Sequence, residues 1–333
     1  MPKCPSPMLR MVPLPIASRQ GEKAVSTESA FIDSLRALAT DPAARGLLDD
    51  AAVLEVGDER LVLTHDMIAE GVHYLPDDPP ADVAWKLVAV NLSDLAAKGA
   101  RPVGVLLGFT LGEAEWDRAF AQGLGAALAA FRLSLLGGDT VAAPARVLGL
   151  TAIGRAAGPV PSRSGAKPGD LLWVSGTIGD AGAGLKALRG ELAPSSALIE
   201  RYRNPRPRLE AGERLAPLVS AMMDVSDGLL IDAHRLATAS ACGIDLALDS
   251  VPLSEAYLAA CGEDRIAAVT AGDDYELLFA AAPDTVPALL ALAEQLGLPF
   301  TRIGACVQGA GLMLSDHGAP VPLPPSLGFE HGT

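Results

Sequence analysis

Apolar positions along this chain follow two periods that alternate from one end to the other. Phe31, Ile32, Leu35 and Leu38 fall at helical spacing behind a cap at Ser26 and predict the first helix of the folded part. Short strands are predicted at 51–56 and 60–66, around the turn Gly57-Asp58-Glu59. The stretch 81–99 reads as a helix ending at Gly99, with Arg101-Pro102 preventing its continuation. A strand at 103–111, a helix at 113–131, a strand ending in the Gly-Gly of 135–140 and a strand at 147–154 follow. Residues 158–170 are dense in Gly, Pro and Ser and form the best domain boundary. Beyond them the pattern predicts a strand at 171–176 and a Gly-rich entry into a helix at 177–190. A helix at 226–243 capped by Ser226, strands at 244–248 and 275–282, and a helix at 284–297 complete it. Strands and helices alternate in both halves, which points to an α/β (α+β) chain of two domains, 26–157 and 158–333.

Composition narrows the function classes. The 333 residues include 40 Asp+Glu against 26 Lys+Arg, a net charge of −14, which argues against nucleic acid or an anionic membrane as the main partner. A nucleotide remains compatible, because bound Mg²⁺ reverses the local sign at a phosphate site. Cys4, Cys242, Cys261 and Cys306 lie far apart with no CxxC pair, a usage that suits a reducing cytoplasm and excludes the usual zinc spacings. No apolar stretch is long enough for a membrane span. Prolines at 2, 5, 7, 13 and 15 break any signal-like core, so residues 1–25 read as a disordered extension.

The chemistry lies in aspartates set at the ends of apolar runs or beside glycines: Asp50, Asp66, Asp94, Asp139, Asp224 and Asp227. Carboxylates held in such surroundings are costly to gather without a cation, and Mg²⁺ takes hard oxygen ligands together with phosphates. Thr64 and Asp66 are two apart in a predicted strand and share a face. Gly138 precedes Asp139 in Leu-Leu-Gly-Gly-Asp-Thr, where backbone can approach a phosphate closely. In Met-Asp-Val-Ser-Asp-Gly-Leu, Ser226 is a fitting cap with Asp227 in the first turn, a place that suits a magnesium–phosphate complex. No GxSxG elbow, GxxxxGK[ST] loop or kinase HRD/DFG set is present.

Taken in order, DDAAVL, LTHDMIAEGVHY, WKLVAVNLSDLAAKGARP, LGGDT, RSGAKPGD, VSGTIGDAGAGL, RPRL, MDVSDGLLIDAHRLATAS and AGDDYELLF resemble the thiamine-monophosphate kinases. Those enzymes are relatives of aminoimidazole ribonucleotide synthetase, and the likeness runs from about residue 29 to Gly328-Phe329-Glu330-His331. The resemblance implies ATP-dependent phosphorylation of thiamine monophosphate to thiamine diphosphate, by direct in-line transfer assisted by several Mg²⁺ ions. It implies a cytoplasmic homodimer in which the N-terminal mixed sheet pairs with its copy into a barrel, and a C-terminal α/β sandwich. By the same likeness, Asp50, Thr64, Asp66, Asp94, Asp139 and Asp224 are metal ligands and Asp227 holds a further ion. Gly138, Asp139, Ser226 and Arg163 would contact ATP, while His73, Asp273 and Phe329 would hold the substrate. Three positions depart from the family pattern: Leu48 replaces a glycine, His65 a threonine or serine, and Asp273 a glutamate. Other ATP-dependent relatives, resembling selenophosphate synthetase or the hydrogenase-maturation protein, and a non-catalytic nucleotide-binding relative, are the alternatives.

Overall fold

The computed structural model describes residues 28–331. The extension 1–25, Cys4 and the cap at Ser26 lie outside the described residues. The first half runs α1 (Glu28–Leu35), β1 (Ala52–Val56), β2 (Glu59–Ala69), α2 (Pro80–Ala97), β3 (Arg101–Leu111), α3 (Ala114–Phe131), β4 (Ser134–Ala142) and β5 (Val147–Arg155). The second runs β6 (Leu171–Ser175), α4 (Asp180–Leu188), α5 (Ser196–Arg203), α6 (Leu209–Leu215), β7 (Ala221–Asp224), α7 (Leu229–Ala239) and β8 (Gly243–Ala247). It ends with α8 (Glu255–Cys261), α9 (Arg265–Thr270), β9 (Leu277–Ala281), α10 (Val286–Leu296), β10 (Phe300–Val307), β11 (Gly311–Asp316) and β12 (Ala319–Val321).

The first sheet has the order β1-β2-β5-β3-β4, antiparallel except for the parallel pair β3/β4. Alternation along its strands sends Val62, Ile68, Val105, Leu148, Leu150 and Ala152 to the face covered by α2 and α3. The opposite face leaves Leu54, Met67, Val103, Leu106, Leu136 and Val141 each 38 % or more exposed, an apolar surface that none of the described residues covers. The expected end of β4 at its glycines is corrected by the structure. Val105 pairs with Leu135 and Leu106 with Gly137, so Leu136 forms a bulge and the strand continues through Asp139 to Ala142. Gly138 is required there, since a Cβ would stand 1.9 Å from the Leu107 carbonyl oxygen.

The second sheet has the order β12-β11-β8-β10-β6-β9-β7 with helices on both faces. Leu172, Val174, Met223 and Leu278 pack against α7, while Trp173, Met222, Phe279 and Phe300 turn to the side of α6 and α10. The period-2 alternation of β6 and β9 thus fills two cores from one sheet.

Helix α2 joins the halves. It is apolar around most of its circumference and is buried almost throughout, because the first sheet lies against one side and α6 and β7 against another. Burial of each of its leucines contributes about 2 kcal/mol. Gly212 of α6 allows the crossing, as a Cβ there would meet the Ala96 carbonyl oxygen at 1.9 Å. The helix ends at Ala97 with Gly99 left-handed at φ +61°, as its sequence predicts.

One helix start differs from expectation. The stretch 226–243 becomes helical only from Leu229 to Ala239, and Ser226 is not its cap. The buried Asp232 carboxylate accepts from the amides of Ser226 (3.1 Å) and Asp227 (3.2 Å), so the segment before this helix is fixed by a side chain reaching back from within it and not by the serine hydroxyl reaching forward.

Candidate active site

A cavity of about 1130 Å³ opens between the two halves. Its floor is built by the polar groups of α2, each of which must find a partner because the helix is buried. Asn91 accepts from the Asp66 amide at 2.9 Å and fixes the inward face of β2. Ser93 donates to Asp224 Oδ2 at 2.5 Å, and Thr64 donates to Asp94. Oxygens of Asp50, Asp94 and Asp224 lie within 4.8 Å of one another. They come from the loop before β1, from α2 and from the end of β7, so the cluster exists only when both halves are folded together. Asp66 lines the same cavity.

Burial, then the repulsion of Asp66, Asp224 and Asp50, drives the Asp94 carboxyl well above its usual range. Burial first, and Asp50 and Asp232 among its neighbours, raise Asp224 to about 8 against the hydrogen bond from Ser93; burial, Asp50 and Asp227 raise Asp66 to about 6. Asp50 Oδ1 accepts from Arg163 Nε at 2.7 Å. Its Oδ2 lies 2.6 Å from Lys98 Nζ but accepts no aligned hydrogen bond. Burial would also raise Asp49, yet Lys98 and Arg45 beside it hold it at about 2. Within the Asp50, Asp94 and Asp224 cluster, the described ion pairs reach only Asp50, so the charge of Asp94 and Asp224 is not offset by a paired cation.

The far end of the cavity has different chemistry. His73 Nδ1 accepts from the Ala69 amide at 3.1 Å, so its proton resides on Nε2 when the ring is neutral. Burial, followed by the proximity of His331, lowers its pKa. Lys86 Nζ donates to the His73 carbonyl oxygen and to Asp273 Oδ2, both at 2.8 Å. Asp273 holds φ +70° and also accepts from the Tyr275 hydroxyl at 3.1 Å. Phe329 is tied down by its amide, which donates to the Asp227 carbonyl at 2.9 Å, and it stands edge-on to His331.

The structure therefore gathers Asp50, Asp66, Asp94, Asp224, Asp227, Ser226, Arg163, His73, Asp273 and Phe329 around one cavity, with Thr64 directly behind Asp94. Asp227 is paired with Arg235. Gly138 and Asp139 are not brought there: β4 is the far edge strand of the first sheet, and neither residue lines the cavity. Of the departures, Leu48 lines the cavity. His65 points to the sheet's opposite face, its Nδ1 2.9 Å from the Thr151 hydroxyl. Reasoning from sequence missed Lys86, Lys98, Asp232 and Arg235. A lysine or aspartate inside an otherwise apolar helix was the available signal for Lys86, Lys98 and Asp232.

The chain matches the AIR synthase related protein N-terminal domain over residues 48–156 and the C-terminal domain of the same proteins over residues 167–316. It is 42% identical over 306 residues to the thiamine-monophosphate kinase of Caulobacter vibrioides, covering 88% of this chain and 86% of that one. The crystal structure of thiamine-monophosphate kinase from Stenotrophomonas maltophilia K279a is 40% identical and superposes with a TM-score of 0.73, covering 87% of this chain and 96% of its own. The structure of AaThiL complexed with AMPPCP and TMP superposes with a TM-score of 0.80 at 29% identity, covering 92% and 97%. With both domains in order and identity sustained across nearly the whole length, the chain belongs to the thiamine-monophosphate kinase family.

Proposed function

We propose that this chain transfers the γ-phosphoryl group of ATP to the phosphate of thiamine monophosphate, forming thiamine diphosphate. The observation that carries the reading is the cluster of Asp50, Asp94 and Asp224 at one end of a cavity whose other end presents His73, Asp273 and Phe329. The relative complexed with AMPPCP and TMP supports the two substrates.

The donor set fits Mg²⁺: hard oxygens only, with three carboxylates within 4.8 Å of one another. Asp50, Thr64, Asp66, Asp94, Asp224 and Asp227 would hold the ions, which would supply neutralisation of the phosphate charge. The chain's own groups do the rest. Arg163 presents a guanidinium on the phosphate side of the cavity, Ser226 contacts the nucleotide, and His73 donates from Nε2 toward the substrate. Lys86 fixes Asp273 for the organic cation of thiamine, and Phe329 offers an aromatic wall to it. Direct transfer is favoured because positioning and charge neutralisation suffice for phosphoryl transfer.

The working form in this reading is a homodimer. The bare apolar face of the first sheet needs cover, and a second copy supplies it. The same pairing would deliver Gly138 and Asp139 of β4 to the partner's cavity. The described cysteines are free thiols, which suits the cytoplasm, and among the described residues no helix is long and apolar enough to cross a membrane.

Purified protein mixed with thiamine monophosphate, ATP and Mg²⁺ is expected to yield thiamine diphosphate, and none with EDTA. Folded protein that forms no product with Mg²⁺ present rules the assignment out.

A further inference from the structure

Two lysines are buried at α2, and the reading above uses only Lys86. Lys98 follows the last helical residue and is fully shielded from solvent. Its ammonium reaches Asp49, Asp50 Oδ2 at 2.6 Å and the Met222 carbonyl oxygen at 3.2 Å. These acceptors come from the loop before β1 and from β7, so one cation ties the two halves beside the carboxylate cluster. An ammonium is costly to bury and is retained where acidic partners surround it. Here it stands against an oxygen of Asp50, which is itself a member of the Asp50, Asp94 and Asp224 cluster. Two positive charges do not share one carboxylate oxygen without strong repulsion. Lys98 therefore occupies a position where a divalent ion would otherwise sit.

We propose that Lys98 is a built-in cation of the carboxylate cage, taking the place of a divalent ion on the Asp49–Asp50 side and so limiting how many metal ions the site holds. It is a positioning residue: it touches Asp49 and Asp50, not substrate. The inference rests on the proposed kinase reading for the placement of metal at this cluster.

The test counts Mn²⁺ bound per chain by electron paramagnetic resonance titration, without nucleotide, in the full-length wild type, Lys98→Met and Lys98→Arg. Lys98→Met is expected to bind one further Mn²⁺, or the same number about tenfold more tightly, because a fixed positive charge has gone. Lys98→Arg is expected to keep the wild-type count. A folded Lys98→Met with unchanged or weaker binding overturns the proposal. If Lys98→Met is unfolded without metal, recovery of a cooperative melt on adding Mn²⁺ supports the substitution of one cation by another, and no recovery overturns it. Product formation by the wild type is measured separately. A wild type that binds Mn²⁺ but makes no thiamine diphosphate sinks the kinase reading and leaves the Lys98 comparison standing, whereas one that binds no Mn²⁺ overturns the Lys98 proposal.

Discussion

Asp139 stands on the wrong edge of the first sheet to serve the cavity of its own chain. Asp66 pairs with Leu150, Leu150 with Leu107, and Leu107 with Gly138, so Asp66 and Asp139 lie at nearly the same height on β2 and β4. Three strand spacings separate them, roughly 14 Å. A Mg²⁺ ion holds its ligand oxygens at about 2.1 Å, and two aspartate side chains do not close the remaining gap across a sheet. If Asp139 ligates an ion with Asp66, it does so from a second copy. Asp94→Asn and Asp139→Asn dimers are then each expected to be inactive, for different sites. In a mixed dimer one site carries both defects and the other carries neither, so turnover returns to about half of the wild-type rate per chain. The assay is co-expression with two affinity tags, tandem purification and measurement of thiamine diphosphate. Mixed dimers as inactive as both parents would refute service in trans.

Other perturbations probe the cage and the substrate end. Asp94→Asn and Asp224→Asn are expected to lower turnover on the order of 10²–10³-fold. Both remove a buried, mutually repelled carboxylate, so the melting temperature in EDTA at pH near 8 should hold or rise; a fall of several degrees counts against the repulsion argument. Asp66 and Asp224 are raised from 3.8 to about 6 and about 8, so the metal-free fold holds protons that the unfolded chain has already released. Its stability therefore falls as pH rises from near 4 toward 8. Mg²⁺ displaces those protons, and its stabilising shift in a thermal melt should be larger at pH about 8 than at about 6; an equal or smaller shift contradicts the linkage. Lys86→Met should raise KM for thiamine monophosphate about tenfold, near 1.4 kcal/mol, with KM for ATP little changed, since Lys86 holds Asp273 and the His73 carbonyl. A matching rise in both constants would point to general loosening.

Local periodicity and punctuation made most of the first half readable. Gly99 stops α2 where sequence places it, and Thr64 and Asp66 share the inward face of β2. Residues joined by long-range partners were not readable. Ser226 has the composition of a cap, but the deciding atom is an Asp232 oxygen further along the helix. The continuation of β4 past Gly137-Gly138 depends on pairing with β3, which absorbs Leu136 as a bulge. Strands β10, β11 and β12 and the short helices α5, α6, α8 and α9 carried too few periodic positions to be distinguished from loop. Aspartates announce themselves at the ends of apolar runs. Arg45 and Arg235 lie within a few turns of chain from Asp49 and Asp227, but three of the cations that organise the site sit 48 or more positions from their acids: Lys98 and Arg163 with Asp50, and Lys86 with Asp273.

That separation has a physical logic. A cage for phosphate-bound metal must keep carboxylates ionisable but uncompensated, and such a cage opposes its own folding. In this chain the cost is confined to one side. Asp49 and Asp50 are matched by Arg45, Lys98 and Arg163, which lets the loop before β1 fold onto β7 without metal. Asp94 and Asp224 receive only hydroxyl hydrogen bonds, from Thr64 and Ser93, which orient an oxygen without cancelling its charge. Hydroxyls there and cations on the other side fix where an incoming ion gains most. The fold thus sets a gradient of unmet negative charge pointing from the Asp49–Asp50 corner into the cavity, toward the space that His73 and Asp273 face from the opposite end.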